Sequence, residues 1–190
     1  MNYDQISNAL LENRRIPDCY EVPAGWSDYV ESRRTVYGQF LPNYLQPNMR
    51  SEAMWVLRGK CHSGEEVGIY VHRGDICWMD FGQSFLEEMG YQHFGLVMAL
   101  CNKKALVIPM TSNKEAFIRS EEKYSHLMRI GQPEGLDKPS TLFLNDLRFI
   151  NTARILKIRS RIDPESGLFQ EIQKRVIDLL IHDHGTKAGI

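Results

Sequence analysis

The spacing of apolar residues changes along the chain, and each change marks a different kind of element. From Trp26 to Leu41 the residues Trp26, Tyr29, Val30, Val36, Tyr37, Phe40 and Leu41 recur at helical spacing, with Ser27 as a cap and Pro42 as a stop. A helix with one buried face is expected there. A shorter helical run around Glu52 to Leu57 ends at Gly59, and Ile6, Ala9 and Leu10 suggest one or two more amphipathic turns near the start.

From Gly74 onward the period shortens to that of strands. Ile76 to Phe81, Gly95 to Leu100 and Ala105 to Met110 form three apolar runs, the last two joined by the tight turn Asn102-Lys103, so three antiparallel strands are predicted. Pro109 cannot donate to a ladder, which predicts that its strand lies at an edge or bulges. Residues 113 to 123 read as helix or loop. Ser125 to Ile130, Thr141 to Asn145 and Arg154 to Ile162 add strand candidates, for about six in all. Asp163 followed by Pro164 reads as the start of a closing helix, whose face is Leu168, Ile172, Val176, Leu179 and Leu180 and whose end is Gly185.

Composition narrows the class without naming a function. With 190 residues, 43% hydrophobic and 25% charged, the chain is expected to fold around one main core. Lys and Arg number 23 against 24 Asp and Glu, so any anionic partner must meet a local basic patch. Cys19, Cys61, Cys77 and Cys101 lack C-x-x-C spacing and read as reduced thiols, mostly buried. Met1 to Asp4 shows no leader pattern and no apolar run reaches membrane length, so a cytoplasmic location is expected. The pairs Cys61-His62 and His182-Asp183-His184 lack further ligands at regular spacing, so no metal or other cofactor is expected.

Several motifs occur together and in order. Gly74-Asp75-Ile76-Cys77-Trp78-Met79-Asp80-Phe81 is followed by a loop holding Glu88, then Leu96-Val97-Met98, then Val107-Ile108-Pro109-Met110-Thr111-Ser112, and finally Ser140 to Arg154. This series, over about residues 74 to 182, resembles the MazF/PemK toxin endoribonucleases. The resemblance implies a mainly β fold with helices: a small, strongly bent antiparallel barrel with a C-terminal helix over residues 71–185. Residues 1–70 would then be a helical extension packed on that body, and 186–190 a flexible tail. It also implies a homodimer, single-stranded RNA as substrate and an antitoxin protein as partner.

Metal-free cleavage of RNA by its own 2′-hydroxyl needs a group to take that proton, a group to protonate the leaving 5′-oxygen, and charge to steady the phosphorus centre. The resemblance assigns these roles chiefly to an arginine in a segment E-Q-x-G-x-R-P and to a hydroxyl residue ending the strand V-P-x-T. Here Glu88-Met89-Gly90-Tyr91-Gln92-His93-Phe94 puts His93 where the arginine is expected, and Thr111 matches the hydroxyl. Histidine exchanges a permanent planar charge for a proton switch near neutral pH, and Glu88 is the candidate to hold its imidazole. The bland alternative is a histidine bonded to backbone in a silent barrel that binds RNA or protein. Ser112, Tyr91, Arg148, Arg154, Lys157 and Arg159 are the candidate RNA-binding residues. On a regular strand Lys157, Arg159 and Arg161 share one face, and a solvated sheet face is the ordinary reading of such a run.

Overall fold

The structure, a computed structural model, describes residues 24–120 and 126–182. The expectations for Ile6, Ala9, Leu10, Cys19, Ser125, Asp183, His184, Gly185 and the tail lie outside the described residues. The chain divides into two compact units, Met1–Lys60 and Cys61–Ile190.

In the first unit, helix α1 spans Trp26–Tyr37 and helix α2 spans Pro42–Arg58. Pro42 starts α2 rather than only stopping α1, a position where its missing N–H costs nothing. The helix then continues through Pro47, so it is far longer than the expected run from Glu52. The expected buried face of α1 is a correction. No residue of α1 is buried, and Trp26, Tyr29, Val30 and Val36 are all exposed. Polar contacts join α1 to α2 instead: the Arg33 guanidinium pairs with Glu52 and lies 4.9 Å from the ring centre of Tyr37.

The second unit is a seven-stranded antiparallel sheet in the order β4-β5-β3-β2-β1-β7, with β6 also paired to β3. The strands are β1 Asp75–Asp80, β2 Gln92–Cys101, β3 Lys104–Thr111, β4 Leu127–Gly131, β5 Ser140–Phe143, β6 Arg148–Asn151 and β7 Ile155–Arg161. Helix α3, Lys114–Arg119, follows β3, and helix α4, Gly167–Ile181, closes the unit. The class is the expected mainly β fold with a C-terminal helix, and the sheet runs from β4 to β7 without joining its ends.

Two apolar clusters form the core. Ile76, Leu96, Ile108 and Leu142 pack with Phe169, Ile172 and Val176 of α4. Cys77, Met79, Val97, Val107, Ile150 and Ile155 make the other, with Ile69, Val71 and Met89 against it. Alternation along β1, β2 and β3 sends neighbouring residues to different clusters, as a sheet covered on both faces requires. The β2–β3 turn is as expected, with Asn102 at φ 44 and Lys103 at φ 67, both in the left-handed region of a type I′ turn.

Four further expectations are corrected. Pro109 is not at an edge: β3 lies between β2 on one side and β6 and β5 on the other. It is tolerated because β6 pairs with Lys104 to Val107 and β5 with Met110 and Thr111, so Pro109 falls in the gap between those ladders. The seventh strand, β6, was not expected. The closing helix begins at Gly167 with Ser166 as its cap, accepting from Phe169 N, while the Asp163 carboxylate turns back to Glu165 N at 3.0 Å. Of the three described cysteines, all free, Cys77 is buried, Cys61 half-buried and Cys101 exposed.

Candidate active site

His93 sits near the start of β2, after the β1–β2 loop. Register places it opposite Met79 of β1, and the β2–β3 ladder pairs Phe94 with Met110. His93 and Thr111 are the next residues beyond that pair on their two strands. Both therefore stand at the open end of the β2–β3 hairpin.

The imidazole is held by backbone, the arrangement that the silent-barrel alternative also expects. His93 Nδ1 lies 2.7 Å from the Gly90 carbonyl oxygen, which can only accept, so Nδ1 carries the proton and Nε2 keeps its lone pair. Burial lowers the pKa of His93 below its usual 6.5, against the smaller raising effect of that carbonyl. Near neutral pH the ring is thus a neutral base. Gly90 is needed for this geometry, because a Cβ there would stand 2.1 Å from Ser84 Oγ.

Glu88 does not hold the imidazole. Its carboxylate accepts from Phe85 N at 3.2 Å and closes a turn within its own exposed loop. Thr111 is half-buried; its Oγ1 accepts from Asn113 N at 3.1 Å, leaving its O–H to donate elsewhere. Ser112 is exposed beside it. Tyr91, half-buried at φ 56, closes the base of the loop through backbone bonds of its N to Gly82 O and its O to Phe81 N.

The basic residues separate into two groups. Arg148 pairs with Asp146 and donates to Met89 O at 3.0 Å, while Asp146 accepts from Met89 N at 2.5 Å. The two side chains clasp both backbone polar groups of one loop residue, Met89, and the Arg148 guanidinium stands 5.4 Å from the Phe81 ring centre. Arg154 donates to Asp80 O at 3.2 Å and lies against Gly82. Both arginines brace the loop that leads to His93. Lys157 and Arg159 are exposed on the edge strand β7, Arg159 within 3.9 Å of Asp137. Lys157, Arg159 and Arg161 do not form a regular row, because register shifts fall between Ile158 and Ser160 and between Lys157 and Ile155. Arg161 is engaged with the buried Asp75 at 2.9 Å.

Three neighbours of these residues carried no signal in the sequence. Gly90 acts through its carbonyl, for which no side-chain signal exists. Thr141, opposite Thr111 on β5, is 1% exposed, and its Oγ1 finds no hydrogen-bond partner among the described residues. Arg129 follows opposite Thr141 on β4, its guanidinium 3.8 Å from the Phe117 ring centre and bonded to Phe117 O and Ser120 Oγ. Only the pairing of β3 with β5 and of β5 with β4 puts these residues in line. Among the described residues no three His, Cys, Asp or Glu side chains gather as a metal site, and no helix is long and apolar enough to cross a membrane.

Comparison with known proteins locates the chain. Residues 72–180 match the family described as PemK-like, MazF-like toxin of type II toxin-antitoxin system. A crystal structure of MazF (Form-I) from Deinococcus radiodurans is similar at 17% identity and TM-score 0.44, covering 59% of this chain and 98% of that one. The MazE-MazF (Form-II) structure from the same organism is similar at 17% identity and TM-score 0.41, covering 59% and 97%. The search of curated proteins finds no significant match.

Proposed function

Because the chain belongs to the PemK-like, MazF-like toxins of type II toxin–antitoxin systems, we propose that it is an endoribonuclease cleaving single-stranded RNA, with an antitoxin protein as its inhibitor and a second copy of itself as its partner. The observation that carries the reading is the imidazole of His93, fixed by Gly90 O in the tautomer that leaves Nε2 as a base, at the same open end of the β2–β3 hairpin as Thr111.

The chemistry uses the substrate's own nucleophile. His93 Nε2 takes the proton of the 2′-hydroxyl as the 2′-oxygen bonds to phosphorus. The bond from phosphorus to the 5′-oxygen breaks, that oxygen takes a proton from solvent water, and the proton held on His93 returns to solvent. The products are a 2′,3′-cyclic phosphate and a 5′-hydroxyl. Thr111 donates its O–H to a phosphoryl oxygen as negative charge grows there, a contact that strengthens toward the transition state. Burial serves the base: a ring with a lowered pKa stays neutral and ready over a wider span of pH. No step calls for a metal-bound hydroxide.

The arginines enter this account as supports. Arg148 and Arg154 hold the loop whose Gly90 carbonyl orients His93, a positioning role, while Lys157, Arg159, Ser112 and Tyr91 remain candidates for touching RNA. The test is a long mixed-sequence RNA incubated with the protein in EDTA, with the fragment ends read chemically. Cyclic phosphate ends, lost in Thr111→Val, support the proposal. Intact RNA that is nonetheless bound would instead favour a silent binding module.

A further inference from the structure

The geometry points to a second ligand site, remote from His93, at the β2–β3 hairpin: a cleft built for a mononucleotide, its phosphate on Lys103 and Lys104 and its base against Tyr70. The cleft has a volume of about 310 Å³ and is also lined by Glu65, His72, Asn102 and Thr152. That volume lies at the small end of ligand pockets and suits a single nucleotide. His93 and Cys101 stand eight residues apart on β2, at most about 27 Å along the strand, so the cleft lies at the opposite end of β2 from the candidate active site.

Its walls are set in advance. Thr152 N and Thr152 Oγ1 both donate to the Lys103 carbonyl, at 3.1 and 3.0 Å, and Thr152 Oγ1 accepts from Gly64 N at 2.8 Å. These bonds tie the hairpin turn to the turn at Gly64–Val67. The approach is so close that a Cβ on Gly64 would lie 2.9 Å from the Thr152 carbonyl oxygen.

Lys103 is the telling residue. At φ 67 it occupies the second central position of a type I′ turn, where glycine fits without strain and a lysine does not. A cation is therefore kept at a position that local energetics would give to glycine, and such strain collects at functional sites. Lys104 follows directly and is likewise exposed. The phosphate thus meets two ammonium groups, with the Glu65 carboxylate the one acidic side chain lining the cleft among the described residues. Tyr70, 64% exposed although it lines the cleft, offers a free ring face to a base. Glu65 can accept from an exocyclic amine or a ribose hydroxyl.

The experiment is calorimetric titration of the full chain with AMP, UMP, adenosine and inorganic phosphate at low salt. A mononucleotide should bind saturably with a Kd below about 1 mM, and adenosine and phosphate should each bind at least about tenfold more weakly. Lys103→Gly should weaken nucleotide binding by about tenfold while keeping or raising the melting temperature, since the turn is relieved. Lys104→Gln should weaken it without loss of fold, and Tyr70→Ala should remove the advantage of a nucleotide over phosphate. Absence of saturable nucleotide binding, equal binding of phosphate and nucleotide, or full affinity in Lys103→Gly would each overturn the assignment. RNA cleavage should be unchanged in Lys103→Gly, so the two sites are tested separately.

Discussion

Replacing Arg148 by alanine decides whether this residue holds the protein together or holds RNA. Its side chain is 28% exposed and that of Asp146 15%, so the pair is partly desolvated and worth more than a surface ion pair. The substitution removes the charged bond to Met89 O, the pairing with Asp146 and the contact with the Phe81 ring. Asp146 keeps its bond from Met89 N and is not stranded. A charge-assisted hydrogen bond contributes about 1.5–3 kcal/mol and an exposed cation–π contact about 0.5–1 kcal/mol. The loss should total about 2–4 kcal/mol, lowering the melting temperature by about 4–16 °C for a chain of this size. Arg148→Lys keeps the charge but not the planar fork, and should recover less than half of the loss. A thermal melt of the two variants beside the wild type reads this directly. A phosphate contact behaves otherwise: the melt stays within about 1 °C, and the slope of log affinity against log salt falls by about 0.7. That pattern would refute the brace and make Arg148 an RNA ligand.

Other consequences follow from groups that burial isolates. Thr141→Val replaces a hydroxyl that has no partner among the described residues by a methyl of the same shape, and should raise stability by about 1 kcal/mol in denaturant titration. Loss of cleavage in that variant would show that the hydroxyl serves the site. Burial, with a smaller contribution from Asp75, pushes the Cys77 thiol up to about 12. At pH 8 Cys101 should react with iodoacetamide at once and Cys77 only on unfolding, read by peptide mass; rapid labelling of Cys77 in the folded protein would contradict its place in the core.

How much of this was legible in the sequence depends on how local each cause is. The hairpin at Asn102-Lys103 and the face Leu168, Ile172 and Val176 rest on turn chemistry and helical period, both readable from neighbouring residues. Strand β6 was not legible, because four residues between two 3-10 turns become a strand only by pairing with β3. Pro109 misled for the same reason: the gap between two partner strands that shelters it is a tertiary fact. In the candidate site, His93 and Thr111 could be found as residue types, while what orients them could not. A carbonyl three residues back holds His93, where a carboxylate had been expected, and Arg148 reaches a peptide unit 59 residues away.

The pH dependence of RNA cleavage bears most directly on the central claim, that neutral His93 takes the 2′-hydroxyl proton. Burial lowers its pKa, so kcat/KM measured in EDTA should rise with unit slope at acidic pH, bend below 6.5 and be flat through neutrality. His93→Ala should lie about a hundredfold or more below the wild type and lose the bend, while His93→Arg, permanently charged, should show no bend in that range. A wild-type profile with no acidic limb, or one that His93→Ala reproduces at full rate, would contradict the account.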